Sequence, residues 1–313
     1  MTECDGGAVP LPNVDEYLAH MHELVPGWFD DLDAAVFRAV DQAQRSVGVD
    51  GDFLEIGAYL GKSAILLGYM LRAHERLVVC DLFTTANLDP RFDSDAEQYG
   101  SLSRAAFEAN YARFHRTPAT VIERSSEELV AEGLERSFRV AHIDGSHRYD
   151  IVRQDIDTAL NLLVEGGVVI VDDYRTVPHA LGVAAAVWKA VTDGQLVPVL
   201  ATVQKLYGCA PAGAGTLATT LRCWGLEDAP FDGLRQQVAG HDMVVFAPPM
   251  GSPTPVTDRP SHESELLQAE DEARVARLRE RLALIEGSRT WRLRNRLMRL
   301  FGRGHIRKPI ARA

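Results

Sequence analysis

The sequence predicts an α/β protein built on a doubly wound, mostly parallel sheet of about seven strands, with helices covering it at the amino-terminal end and a helical tail after it. Two observations carry this. Short β-branched, apolar runs alternate with helix-period stretches for most of the chain, and acidic residues or glycines stand where the apolar runs end. With 313 residues and 46% hydrophobic content there is material for a large core and an appended segment.

Taken in order, the opening residues 1–13 are polar with Gly and Pro and are expected to be disordered, while 14–24 and 30–47 show helical periodicity. The alternation then runs strand 52–56 and helix 63–71, strand 77–80 and helix 102–114, strand 119–122 and helix 127–132. It continues with strand 139–143 and helix 149–163, strand 167–171 and helix 180–191, and a closing pair of strands near 196–202 and 203–208. Such order implies right-handed βαβ units and a Rossmann-like sheet. The main domain is placed at 14–210, with a small α/β addition at 211–249 ending in a strand-like 243–246. A Pro/Ser/Thr linker follows at 250–262, and a helical basic tail at 263–313. Within the tail Val275, Leu278, Leu282 and Ile285 keep coiled-coil spacing for two heptads only.

Composition excludes several classes. The net charge is −11, but residues 287–313 hold nine Lys/Arg and no acid, which leaves the body at −20. An acidic body argues against nucleic-acid binding, whereas the basic tail suits either an anionic membrane surface or the protein's own body. Leu293, Leu297, Leu300 and Phe301 alternate there with Arg292, Arg296, Arg299 and Arg303, the pattern of a helix lying on a membrane. Four scattered cysteines without metal-ligand spacing read as reduced thiols, and no signal or spanning segment is evident, so a cytoplasmic location is expected, with peripheral contact at the inner membrane face open to the tail.

The first chemical signal is Glu55-Ile56-Gly57-Ala58-Tyr59-Leu60-Gly61-Lys62-Ser63, a buried strand turning through two glycines into a helix. A phosphate loop for a kinase or ATPase needs one more residue between its glycine and Gly-Lys-Ser, and a dinucleotide turn needs glycine where Tyr59 stands. The pattern ExGxxxG fits an adenosylmethionine turn, with Glu55 facing the cofactor's ammonium group, Gly57 and Gly61 permitting close approach, and Asp81 holding the ribose hydroxyls.

The second signal joins two strand ends. Asp144 closes one strand and Asp172-Asp173 closes the next, so three carboxylates converge on the ligand-binding edge of a parallel sheet. They repel one another unless protonated or bridged by a cation, and oxygen ligands suit Mg²⁺ or Mn²⁺ better than zinc. Helix capping accounts for one or two of the three. His147, three residues beyond Asp144, is placed to act as general base on a hydroxyl, with Asp173 and His179 as competitors.

Together with Ile143-Asp144-Gly145-Ser146-His147-Arg148-Tyr149, Asp155 and the run 163–174, these blocks resemble the metal-dependent sugar O-methyltransferases among the class I S-adenosylmethionine-dependent methyltransferases, over roughly residues 26–208. The resemblance implies Asp144, Asp172 and Asp173 as ligands of Mg²⁺ or Mn²⁺ and His147 as base. It also implies Glu55, Gly57, Tyr59, Gly61, Ser63, Asp81, Ser126 and Asp144 on the S-adenosylmethionine side; Asp155 recurs in the pattern too, but its place in the middle of a helix predicts a structural role. Gly287-Ser288-Arg289-Thr290-Trp291-Arg292-Leu293 is similar to a segment of bacterial glycosyltransferases, which turns the expected acceptor toward a sugar of an oligosaccharide or polysaccharide precursor. A non-catalytic scaffold of a glycan-assembly complex and a homo-oligomer are compatible with the same residues.

Overall fold

A computed structural model describes residues 11–84, 102–132, 134–135, 137–175 and 180–246. His179, the linker, the heptads and the basic tail lie outside the described residues.

The apolar runs become strands because each can bury both faces. β1 (Asp52–Ile56), β2 (Leu77–Cys80), β3 (Thr120–Ile122), β4 (Phe138–Ile143) and β5 (Leu163–Val171) form a parallel array in the order β3-β2-β1-β4-β5. Successive residues face opposite layers. Phe53, Val140 and Ile170 pack with α1 (Val14–Leu24), α2 (Asp31–Ser46), α3 (Lys62–Met70) and α4 (Arg104–Ala112). Leu54, Ala141 and Val169 pack with α5 (Tyr149–Leu162) and α6 (Leu181–Thr192). The span 127–132, expected as a helix, belongs to a 3-10 helix, Ser126–Glu132.

Beyond β5 the sheet becomes mixed. β7 (Leu206–Cys209) runs antiparallel to both β5 and β6 (Val197–Ala201). The stretch after 210 does not stop the sheet. It supplies α7 (Gly215–Glu227) and a hairpin of β8 (Gly233–Val238) and β9 (His241–Phe246), with β9 parallel to β6 through Leu200↔Val244 and Ala201↔Val245. Among the described residues the sheet therefore has nine strands rather than about seven. β8 escaped the sequence reading because Gly-Leu-Arg-Gln-Gln-Val is an exposed edge with no apolar alternation, and only its partner β9 is buried.

Local signals set the helix ends. Asn13 and Glu16 form a reciprocal capping box at α1, and the Asp30 side chain caps α2. Tyr17 of α1 donates its hydroxyl to the Lys62 carbonyl at 2.5 Å, which pins the covering helix to the start of α3. Among the described residues no helix is long and apolar enough to cross a membrane, and Cys80, Cys209 and Cys223 are free.

Where β4 begins, Arg139 is wholly buried. Its guanidinium donates twice to Glu75 (2.9 and 2.9 Å), to Gln44 Oε1 (2.9 Å) and to the Met70 carbonyl (3.0 Å), and it stacks over Phe53 at 4.1 Å. Burial alone would raise the Glu75 carboxyl, but Arg139 and the backbone N–H groups of Arg72 and Gly51 outweigh it and hold it below its ordinary range. The cluster joins α2, β1, β4 and the segment before β2. Because removing one partner strands the other charge in the interior, Arg139→Met is expected to cost about 3–5 kcal/mol. Urea unfolding would show it; a loss under about 1 kcal/mol would mean that the cluster is solvated.

Candidate active site

Strand order reverses between β1 and β4, so the turns after these two strands separate and leave a crevice at the carboxyl edge of the sheet. The turn after β1 is built by contacts within the chain. Gly57 has φ +82°, and a Cβ there would lie 2.1 Å from the Asp144 carbonyl oxygen. Glycine is thus required by the Asp144–Gly145 backbone, which crosses it after Asp144 N–H donates to the Ile56 carbonyl at 2.7 Å. The close approach expected from a cofactor is made by the protein itself. Gly61 (φ +94°) faces the Phe107 ring, and Tyr59 also takes a left-handed φ of 48°.

Asp81 stabilises that strained turn. Its Oδ2 accepts the Ala58 and Tyr59 N–H groups at 2.7 and 3.0 Å, and its Oδ1 accepts that of Phe83 at 2.7 Å. The carboxylate expected to hold ribose hydroxyls is already engaged by three backbone donors, two of them on Oδ2; the second lone pair of Oδ1 is what it has to offer a ligand. Lys62, the lysine of the rejected phosphate-loop reading, is buried and donates its Nζ to the Gly27 carbonyl at 2.5 Å.

Glu55 lies beneath the turn. Its Oε1 accepts from Ser63 Oγ (2.5 Å) and pairs with His142 Nδ1 (2.8 Å), so Glu55 and Ser63, both expected on the cofactor side, satisfy each other in the interior. Burial pushes the Glu55 carboxyl up to about 7. Burial, and then the nearby Lys205 ammonium, push His142 well below the usual imidazole range. The ring is therefore neutral, its Nδ1 committed to Glu55. Its Nε2 and Glu55 Oε2 have no partner among the described residues.

The acidic triad divides. A ring nitrogen of His142 and one oxygen each of Asp144 and Asp172 lie within 4.8 Å of one another. Burial first and Asp172 second raise the Asp144 carboxyl well above its ordinary value. Asp173, at a left-handed φ of 53°, instead turns its carboxylate to His147, with Oδ2 3.0 Å from Nε2. Its N–H donates to Asp172 Oδ1 at 2.8 Å. Asp172 Oδ2 meets the buried Lys205 ammonium. Burial opposes that charge, but Asp172, Asp144 and Asp33 together outweigh it and hold Lys205 protonated. Ser126 opens the 3-10 helix beside the buried Asp155, whose carboxyl burial raises to about 6.

His142 and Lys205 were missed in the sequence. His142 had a signal, since it precedes Asp144 by two on a strand and so shares its face. Lys205 had none. Its place follows from the reversal between β6 and β7, where its N–H donates to Thr202 Oγ1 at 2.8 Å.

Glu55 yields a pH test. Between about 4.5 and 7 the folded chain keeps a proton that the unfolded chain has released, so stability falls as pH rises through this window. Glu55→Gln removes the titration. Between pH 5 and pH 8 the wild type should lose on the order of 3 kcal/mol more than the variant in chemical denaturation. Equal losses would mean that Glu55 titrates normally.

Residues 54–174 match a family model described as a methyltransferase domain. No curated protein matches the chain. Similar solved structures include the O-methyltransferase NovP (19% identity, TM-score 0.45, covering 57% of this chain and 80% of that one). They also include CalS11, a TDP-rhamnose 3'-O-methyltransferase of calicheamicin biosynthesis (16%, 0.41, 65% and 88%). A third is an O-methyltransferase from Bacillus cereus in complex with SAH (15%, 0.41, 64% and 93%). The family match runs from β1 through both acidic turns, so this part of the chain is similar to a methyltransferase domain, and the solved structures share its fold.

Proposed function

We propose that the protein is a divalent-metal-dependent O-methyltransferase acting on a sugar hydroxyl. One observation carries the reading: two half-buried carboxylates and a neutral, buried imidazole converge at the switch point, next to a second imidazole that is paired with its own carboxylate. The donor set fits a divalent cation. Asp144 and Asp172 supply oxygens, and His142 supplies the unpartnered, buried Nε2, while Glu55 holds the far side of its ring as carboxylates behind metal-bound histidines do. The imidazole moves the preference from Mg²⁺ toward Mn²⁺ or a later metal.

When bound, the metal supplies a Lewis acid that lowers the hydroxyl's pKa, and S-adenosylmethionine supplies the electrophilic methyl group. The protein's own residues do the rest. Asp173 accepts the Nε2–H of His147, which leaves the ring's lone pair on Nδ1 and stabilises the imidazolium that forms when Nδ1 takes the hydroxyl proton. Asp81 fixes the glycine turn that would border the cofactor. An alcohol far less acidic than a phenol needs both a cation and a base, which supports a sugar hydroxyl, as does the resemblance of the sequence blocks to sugar O-methyltransferases. The acidic body disfavours a nucleic-acid acceptor, and the tail's partner, membrane or own body, is a separate part of this proposal.

Purified protein given S-adenosylmethionine, Mn²⁺ and a panel of nucleotide sugars and oligosaccharides should release S-adenosylhomocysteine with at least one acceptor, and EDTA should stop it. Asp144→Asn should abolish transfer while S-adenosylhomocysteine still raises the Tm. His147→Ala should lower kcat about 10²–10⁴-fold and flatten the acidic limb of the pH–rate profile. Full activity in EDTA contradicts the metal assignment; an unchanged acidic limb moves the base elsewhere.

A further inference from the structure

Lys205 is a fully interior ammonium at a site where the proposed chemistry has no use for it. It touches Asp172 Oδ2, lies over the Phe29 ring at 5.6 Å, and is faced by Asp144 and Asp33. Asp33 in turn accepts Thr202 Oγ1 (2.9 Å) and the Tyr207 hydroxyl (2.6 Å), so the lysine sits between a buried structural carboxylate on α2 and the two carboxylates of the site. One ammonium thus faces three carboxyl groups, the same groups that a divalent cation would seek. The ammonium and such a cation would nonetheless repel each other across Asp172.

We infer that Lys205 is the resident cation of this site, a positioning residue that keeps Asp172 and Asp144 converged in the metal-free chain and competes with a divalent metal for Asp172. The first half stands on the geometry alone. The second rests on the metal reading proposed above. Lysine suits this role because its four-carbon stem lets the ammonium withdraw toward Asp33 without unfolding the β6–β7 turn. The consequence is a site preorganised for metal whose affinity is deliberately weakened.

The test uses the full-length chain. In EDTA, Lys205→Met should lower Tm by stranding the Asp172 charge, and adding Asp172→Asn should recover a substantial part of the loss, because the pair is coupled. If K205M does not fold, recovery of folded protein in the double variant is the same readout. Additive losses, or a double variant worse than K205M, overturn the holding role. Mn²⁺ binding to wild type and K205M, read from the EPR signal of free Mn²⁺, should be roughly tenfold or more tighter in K205M, with Lys205→Arg at or below the wild-type affinity. Equal or weaker binding to K205M overturns the competition. If no form binds Mn²⁺ while the coupling is present, the metal reading fails and Lys205 stands as the sole cation of the site.

Discussion

The site depends on the half-burial of Asp144 and Asp172 near the buried Asp33, with the Lys205 ammonium among them. Carboxylates withdrawn from water repel one another, and the interior tolerates them only when protonated, hydrogen-bonded or matched by a cation. The protein uses all three devices. Burial drives Asp33 up to about 7 and Asp144 higher than its ordinary value, Tyr207 and Thr202 donate to Asp33, and Lys205 supplies the charge. The elements that carry these groups, α2, the ends of β4 and β5, and the β6–β7 turn, must therefore meet at one place, and the mixed half of the sheet serves this purpose. Without β7 returning antiparallel beside β5, Lys205 would not reach Asp172.

A second polar line runs from the first turn to the same place. Ser63, Glu55 and His142 form a buried chain, and a ring nitrogen of His142 lies within 4.8 Å of oxygens of Asp144 and Asp172. The ExGxxxG pattern is thus read twice by the fold. Its glycines admit the backbone of the neighbouring strand's turn, and its glutamate orients a histidine on that neighbour. Coupling of the β1 and β4 turns through Gly57, Asp144 and the Glu55–His142 pair makes the two turns one mechanical unit. The outlying His147–Asp173 pair is left on the more solvated rim.

Much of this was legible in the sequence. Apolar runs of four to six residues ending in acid or glycine gave the parallel strands and their order of appearance, because a strand buried on both faces leaves no other pattern. The convergence of Asp144 and Asp172 followed from the rule that parallel strands share a carboxyl edge. What could not be read was set by tertiary pairing. Asp173 looked equivalent to Asp172 until its left-handed φ turned it to His147. Asp81 and Glu55 had the chemistry for a ligand, yet the nearest donors were the chain's own N–H groups and side chains. β8 had no apolar period, and Lys205 was one lysine in an unremarkable Gln-Lys-Leu-Tyr stretch until the hairpin brought it inside.

The central claim is that a divalent cation enters between Asp144, Asp172 and His142, alongside or in place of the Lys205 ammonium. Anomalous diffraction at the manganese edge, from crystals grown with Mn²⁺ and S-adenosylhomocysteine, tests it directly. The account predicts one strong peak bonded to oxygens of Asp144 and Asp172 and to His142 Nε2, with Lys205 Nζ shifted toward Asp33. No peak at that position, with Lys205 still seated on Asp172 at saturating Mn²⁺, would contradict it.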